Sequence, residues 1–345
     1  MSDTPVLEVR DLVKHYPVRV GAVIKRQIGQ VRAVDGISLT LHRGKTLGLV
    51  GESGSGKSTL AKVLTGVETP TSGQVLVDGE DVSTFSRDQR RRLRRDVQMI
   101  FQDPYTSLNP RMSVGEIVGE AYDIHRDLVP SEGKAAAVRE LLELVGLDPD
   151  SSRRYPHQFS GGQRQRIGIA RALAVRPRVL ICDEPVSALD VSVQGQVINL
   201  LERLQDELGL SYLFIAHDLS VVRHIADGVA VMYLGRVVES GPAERVYVDP
   251  RHPYTRALLS AVPVPDPTLR GQRQEIVLEG DVPSPISPPS GCHFHTRCWL
   301  ARTLADGGVP DRCRTEDPTL TTEGGAGHLA ACHFADEAAA AAARG

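Results

Sequence analysis

Short, largely apolar runs recur along the first two thirds of the chain, each ending abruptly in glycine, acidic or polar sequence. Thr46-Leu47-Gly48-Leu49-Val50, Val97-Gln98-Met99-Ile100-Phe101, Val179-Leu180-Ile181-Cys182 and Tyr212-Leu213-Phe214-Ile215-Ala216 are of this kind. Such runs predict strands buried on both faces. Between them the apolar spacing changes to a helical period. Leu60, Val63 and Leu64 share one face of a predicted helix that opens near Lys57 and stops at Gly66. Val197, Leu200, Leu201, Leu204 and Leu208 mark a second, between Ser192 and Leu208. Strand–helix–strand order with uniformly apolar strands predicts an α/β fold with a parallel sheet covered on both sides.

Two regions depart from this pattern. Residues from about Asp103 to Tyr155 carry a helical period (Val138, Leu141, Leu142, Val145) and turn signals (Asn109-Pro110, Asp148-Pro149), and predict a helical insertion into the sheet domain. Val229 to Tyr233, a Leu-Gly-Arg turn, and Val237-Val238 predict a hairpin. After about Ser260 the core pattern fades. Seven of the 22 prolines lie between Pro263 and Pro289, which predicts a stiff, extended connector. Ala338 to Ala343 are six alanines, read as a frayed tail.

Composition adds bounds. The 345 residues are 41% hydrophobic and 24% charged, ordinary for a globular protein, and the net charge of −3 gives no reason to expect nucleic acid as a partner. No apolar stretch approaches the roughly 18 residues of a membrane span. Met1 to Arg10 has no basic-then-apolar secretory pattern, so a cytoplasmic location is expected. The six arginines between Arg87 and Arg95 read as a solvated helix face. Cys182 lies in an apolar strand and reads as a small core residue. Cys292, Cys298, Cys313 and Cys332 cluster at the far end, which suggests a local role there.

The chemistry begins at Gly51-Glu52-Ser53-Gly54-Ser55-Gly56-Lys57-Ser58, which fits G-x-x-x-x-G-K-[ST] between a strand and a helix. Glycines let backbone N–H groups turn onto phosphates, and the following helix adds its dipole. Lys57 would reach the β- and γ-phosphates, and Ser58 would ligate Mg²⁺. Asp183 and Glu184 end a buried strand, where ligands gather in parallel sheets. There Asp183 can hold Mg²⁺ through water, and Glu184 can orient or deprotonate an attacking water. Far downstream, Phe159-Ser160-Gly161-Gly162-Gln163-Arg164-Gln165-Arg166 is a second glycine-rich helix start, with Ser160 as N-cap and two glycines that let a phosphate approach.

Together these motifs resemble the ATP-binding cassette (ABC) family of ATPases over roughly residues 6 to 260. The resemblance implies a RecA-like parallel-sheet core with an antiparallel β-subdomain and a helical subdomain at about 103–165. It implies that Gly51 to Ser58, with Thr59, hold ATP, and that Tyr16, in Lys14-His15-Tyr16-Pro17, stacks the adenine. An insert from about Val18 to Gln30 separates Tyr16 from the next strand. Gln102, with Ser58 and Asp183, would attend Mg²⁺, and Glu184 would be the base, with His217 at the γ-phosphate. Ser160, Gly161, Gly162 and Gln163 would touch the ATP of an opposing subunit. Ser187, Ala188, Leu189 and Asp190 would line the junction. Two such chains, identical or paralogous, would pair head to tail.

Gln102 to Pro110, the segment before Val31, His252-Pro253-Tyr254-Thr255-Arg256-Ala257-Leu258-Leu259, and Gly291 to Cys298 resemble the oligopeptide/dipeptide importer branch. That resemblance implies an ATPase domain over 1–260 and a C-terminal extension over 261–345. Its implied partners are two integral membrane permeases and an extracytoplasmic substrate-binding protein, with the chain at the cytoplasmic face of the membrane. Nickel, glutathione or another small solute, or a non-transport role, are the alternatives. The four cysteines, spaced x5, x14 and x18, match neither a paired zinc pattern nor a standard ferredoxin run. Some members of the branch bind an iron–sulfur cluster here, so a [4Fe–4S] cluster, zinc and no metal all stay open. His293, His295, His328 and His333 are candidate substitute ligands.

Overall fold

The computed structural model describes residues 5–20, 26–103, 105–262, 275–322 and 327–340. Pro104, the first part of the proline-rich stretch and the last alanines of the tail lie outside the described residues.

The strands are β1 (Pro5–Val20), β2 (Arg26–His42), β3 (Thr46–Val50), β4 (Ser72–Val77), β5 (Glu80–Asp81), β6 (Val97–Ile100), β7 (Val179–Asp183), β8 (Ser211–Ala216), β9 (Gly228–Tyr233), β10 (Arg236–Pro242), β11 (Thr321–Thr322) and β12 (Leu329–Ala330). The main sheet runs β11-β12-β10-β9-β3-β8-β7-β6, and its β9-β3-β8-β7-β6 portion is parallel. Every residue of β7 and β8 is buried, as their unbroken apolar sequence requires. A smaller antiparallel sheet, β2-β1-β4-β5, packs beside it.

The period-two geometry of strands divides the interior. Leu49, Ile181, Leu213, Ile215 and Met232 point into a core shared with Leu7, Val9 and Ile37 of the antiparallel sheet and with Leu60 and Leu64 of α1 (Lys57–Leu64). Val50, Leu180, Cys182, Phe214, Val231 and Tyr233 point the other way, into a core with α5 (Gly161–Leu173), α6 (Val191–Leu208) and α3 (Val114–Ile124). Each such buried aliphatic side chain contributes roughly 1.5–3 kcal/mol. Burial pushes the Cys182 thiol well up, so it serves as packing rather than as a nucleophile.

The remaining helices are α2 (Arg87–Asp96), α4 (Lys134–Leu144), α7 (Leu219–Ile225), α8 (Ala243–Val248), α9 (Pro253–Ser260), α10 (Trp299–Leu304), α11 (Asp311–Thr315) and α12 (Ala335–Ala340). Helix α3 starts on a reciprocal cap. Ser113 Oγ accepts the Glu116 N–H at 3.3 Å, and Glu116 Oε2 accepts the Ser113 N–H at 2.7 Å. Two arginines of α2 also reach neighbours: Arg95 forks onto Asp127 at 2.6 and 2.7 Å, and Arg91, exposed as expected, donates to the Ile124 carbonyl.

Three expectations change. The described residues of the Val18–Gln30 insert, 18–20 and 26–30, are strand rather than loop: they extend β1 and β2, in which Tyr16 pairs with Val31 and Val20 with Arg26. The alanine tail is helical as far as it is described; Ala338 is fully buried and its carbonyl accepts from Arg256, so packing holds it. Leu208 is 48% exposed at the end of α6, where Gly209 terminates the helix in the left-handed conformation. The C-terminal segment also adds β12 to the main sheet, with Glu239 opposite Ala330 and Ser240 opposite Leu329.

Candidate functional site

The loop from Gly51 to Gly56 leaves β3 and turns into α1. Two glycines there admit no side chain. A Cβ on Gly51 would sit 2.1 Å from the Met232 carbonyl oxygen. One on Gly56, whose φ is +107°, would sit 1.9 Å from that of Ala33. The loop therefore runs against β9 and β2 with its backbone, directly before the N-terminus of α1.

Lys57 is almost wholly buried, and its Nζ donates to the Gly51 carbonyl at 2.6 Å and the Glu52 carbonyl at 3.0 Å. Burial lowers its pKa, against the opposing pull of Glu184, Asp183 and Glu52. Ser58 Oγ donates to Asp183 Oδ1 at 3.3 Å, joining the start of α1 to the end of β7. Burial raises the Asp183 carboxyl, the Ser58 hydrogen bond opposes that, and the neighbouring Glu184 charge adds to it. A hydroxyl, a buried carboxylate, a buried lysine and a helix N-terminus are the groups that Mg²⁺ and a polyphosphate require.

Glu184 has φ +46°, a left-handed backbone that costs a non-glycine residue ~1–3 kcal/mol. Its N–H donates to the Ile215 carbonyl at 2.9 Å, which holds the residue between β7 and β8. The side chain meets both strand-end residues singled out in the sequence. Gln102 Nε2 donates to Glu184 Oε2 at 2.8 Å, and His217 Nδ1 lies 3.4 Å from the same oxygen. Residues 102, 184 and 217 thus converge on one carboxylate oxygen at the ends of adjacent parallel strands.

The other predicted elements stand apart. Ser160 caps α5, its Oγ accepting from the Gln163 N–H at 3.4 Å while Gln163 Oε1 accepts from the Ser160 N–H at 3.0 Å. Both residues are exposed. Gly162 packs so tightly that a Cβ would meet Val193 Cγ1 at 2.4 Å, and Leu189 lies against Gly161. The Ser187–Asp190 turn and the Ser160–Gln163 helix start are therefore neighbours on one surface. Tyr16 sits half-buried on β1, and Lys14 Nζ lies 4.8 Å from its ring centroid. One ring face is thus taken by a cation.

Cys292, Cys298, Cys313 and Cys332 all border one small pocket, together with His295 and His333. Burial pushes the Cys292 thiol up to about 12 and that of Cys298 up to about 11, and raises the other two. Among the described residues, no group of three or more His, Cys, Asp or Glu side chains is placed to hold a metal ion. His328 is not at this pocket; it pairs with the buried Glu239 at 2.8 Å. His295 Nδ1 engages the Cys292 carbonyl, and His333 Nε2 that of Glu316.

Sequence reasoning missed what stands behind the phosphate loop. The Glu52 N–H donates to Tyr254 Oη at 2.9 Å, and Arg297 Nη1 donates to Glu52 Oε2 at 2.9 Å. These contacts join residues more than 200 positions apart, and no local pattern announces them.

A phosphate loop, a strand-end carboxylate pair and a capped glycine-rich helix, all set on a parallel sheet, define a nucleotide-hydrolysing domain. Comparison with known proteins narrows the class. The family model described as "ABC transporter" matches residues 34–187, and that described as "Oligopeptide/dipeptide transporter, C-terminal region" matches 238–303. The "Oligopeptide transport ATP-binding protein AppF" of Bacillus subtilis is 50% identical over 95% of this chain and 97% of its own. The "Di/tripeptide transport ATP-binding protein DppF" of Pseudomonas aeruginosa is 50% identical over 96% of this chain and 98% of its own. Among solved structures, the ATP-binding cassette MJ0796, described as a dimer bound to ADP and Pi, superposes with a TM-score of 0.60 at 27% identity, covering 69% of this chain and 98% of that one. The chain belongs to the ATP-binding cassette transporter family, in its oligopeptide/dipeptide branch, and is an ATPase. Among the described residues no helix is long and apolar enough to cross a membrane.

Proposed function

We propose that this chain powers the import of di- or oligopeptides by hydrolysing ATP at the cytoplasmic face of the membrane. It would work with a second cassette, two permeases and a substrate-binding protein. The convergence of Gln102 and His217 on Glu184, beside the Ser58–Asp183 pair, carries the hydrolytic part of this reading. The names of the relatives support the peptide part.

The adenine stacks on the face of Tyr16 opposite Lys14. The Gly51 to Thr59 loop and the Lys57 ammonium receive the phosphates, with the N–H groups of Glu52 and Ser55 already donated to Tyr254 Oη and the Glu52 carbonyl. Ser58, Asp183 and Gln102 would hold Mg²⁺, which would supply charge to offset that of the phosphate oxygens. Glu184 takes the proton of the attacking water, Gln102 orients its carboxylate, and His217 approaches the γ-phosphate. Ser160 to Gln163 close over the ATP of the opposing chain, with Ser187 to Asp190 at the junction. Higher affinity of ATP for the closed pair is what drives closure.

We also assign the residues before about 260 to the ATPase domain, with helices near 103–165 as its helical subdomain, and 261–345 to the extension. Four thiols around one pocket support a [4Fe–4S] cluster there. Among the described residues no group of three or more His, Cys, Asp or Glu side chains is placed to hold an ion, which favours neither a cluster nor zinc. No step of hydrolysis depends on the cluster. Iron and acid-labile sulfide in stoichiometric amount support it; stoichiometric zinc or no metal removes it.

The test of the main reading is reconstitution with the permeases in proteoliposomes. ATP-dependent peptide uptake is expected, with turnover lost and ATP binding kept in Glu184→Gln. Undiminished turnover in that variant removes Glu184 as the base, and failure to recover permeases from membranes removes the transport reading.

A further inference from the structure

The phosphate loop is held from behind by the segment that carries the cysteines. Glu52 is fixed at three points. Its N–H donates to Tyr254 Oη, its carbonyl accepts from Lys57 Nζ at 3.0 Å and from the Ser55 N–H at 3.2 Å, and its carboxylate accepts from Arg297 at 2.9 Å. The Arg297 side chain is only 9% exposed and that of Glu52 26%, so water screens this ion pair weakly. Arg297 closes the short helical turn His295–Arg297 and directly precedes Cys298. That turn is tight: the His295 N–H donates to the Cys292 carbonyl at 3.1 Å, and the Arg297 N–H to that of Phe294 at 3.0 Å. Phe294, fully buried, packs edge-on against Tyr233 at 5.2 Å and against Tyr254 at 5.4 Å. Tyr233 ends β9, and Tyr254 is the residue whose hydroxyl receives the Glu52 N–H. The loop between Cys292 and Cys298 is therefore one packed unit with two attachments to Glu52, one through Tyr254 and one through Arg297.

We propose that Arg297 is a positioning residue for ATP, through which the placement of the cysteine-bearing loop sets the phosphate loop of the same chain. This rests on the reading of Gly51 to Ser58 as the ATP-binding loop. Arg297 touches no reacting atom; it acts on Glu52, whose carbonyl accepts from Lys57, the lysine assigned above to the phosphates. A shift of the cysteine pocket moves Arg297 and so alters how Lys57 and the loop N–H groups meet the phosphates.

Equilibrium binding of a fluorescent ATP analogue to the full chain, with KM and kcat for ATP, tests this. Arg297→Ala and Glu52→Gln should each weaken ATP binding about tenfold, and the double variant no more than either alone, as expected when two residues act through one contact. The effect should fall on KM more than on kcat, and Arg297→Lys should restore most of the affinity. Glu52→Gln leaves the cysteine segment untouched, so the test survives if Arg297→Ala folds poorly. Cys298→Ala should shift ATP affinity less in Glu52→Gln than in the wild-type background, because only the attachment through Tyr254 then remains intact. Additive losses, or single variants that bind ATP as the wild type does, overturn the proposal. If the wild-type chain itself fails to bind ATP, the reading of the loop falls instead.

Discussion

The two glycine-rich helix starts of this chain, at Gly56 and at Gly161, are built in opposite ways. The first is braced from every side. Its loop lies against the Met232 and Ala33 carbonyls, its lysine is buried, and its second residue is tied to Tyr254 and Arg297. The second satisfies only itself, through the reciprocal Ser160–Gln163 cap, and leaves both residues exposed. A half-site with its polar groups prearranged by a core can bind before anything else arrives. A half-site that presents an exposed cap waits for a surface. The contrast fits a site completed between two chains.

The strongest way to break the comparison is to damage the braced half. Gly56→Ala forces a Cβ onto the Ala33 carbonyl at a φ of +107°, a strain of ~1–3 kcal/mol before the clash is counted. ATP affinity of the isolated chain should fall at least ~100-fold, read by titration calorimetry. Retained affinity would mean that the loop is not prearranged. Glu184→Gln acts on turnover rather than binding. Removing a general base should lower kcat ~10²- to 10⁴-fold with ATP affinity kept, and single-turnover hydrolysis separates the two. Parallel loss of binding would place Glu184 in the structure of the loop instead.

Local chemistry made much of the braced half legible. The G-x-x-x-x-G-K-S spacing, the apolar strand before it and Asp183-Glu184 at a strand end are all short-range signals. The cap at Ser160 was legible for the same reason. Long-range packing was not. Nothing near Glu52 names Tyr254 or Arg297, and the alanines of α12 read as a tail because burial by Arg256 and its neighbours is invisible in a run of one residue. Of the Val18–Gln30 segment, the described residues 18–20 and 26–30 are strand because pairing between β1 and β2 holds them, a cross-strand effect no short run of sequence announces.

The brace should also give the protein a pH dependence that the exposed half lacks. His252 caps α9, its Nδ1 accepting from the Tyr254 N–H at 3.1 Å, and burial lowers its pKa from 6.5 to about 3. Unfolding therefore takes up a proton anywhere between those values, and stability falls as the pH drops below 6.5. Between pH 6.5 and pH 5 this group alone should cost roughly 2 kcal/mol. In urea denaturation His252→Asn, which keeps a cap acceptor, should lose less stability over that interval by about that amount. An unchanged slope would remove His252 as its source.

The smallest effect on the fold belongs to Ser160→Ala, and it separates the halves most cleanly. The variant deletes the acceptor of the Gln163 N–H and should cost ~1 kcal/mol of local stability. ATP affinity of the isolated chain should stay within about twofold of the wild type, because nothing in the brace touches Ser160. Association should respond strongly. In the Glu184→Gln background, where ATP persists, light scattering should find dimers with Ser160 present and monomers with Ala in its place. Loss of ATP binding by the isolated Ser160→Ala chain would mean that the two helix starts meet the same nucleotide within one chain. Persistence of the dimer would mean that Ser160 meets none.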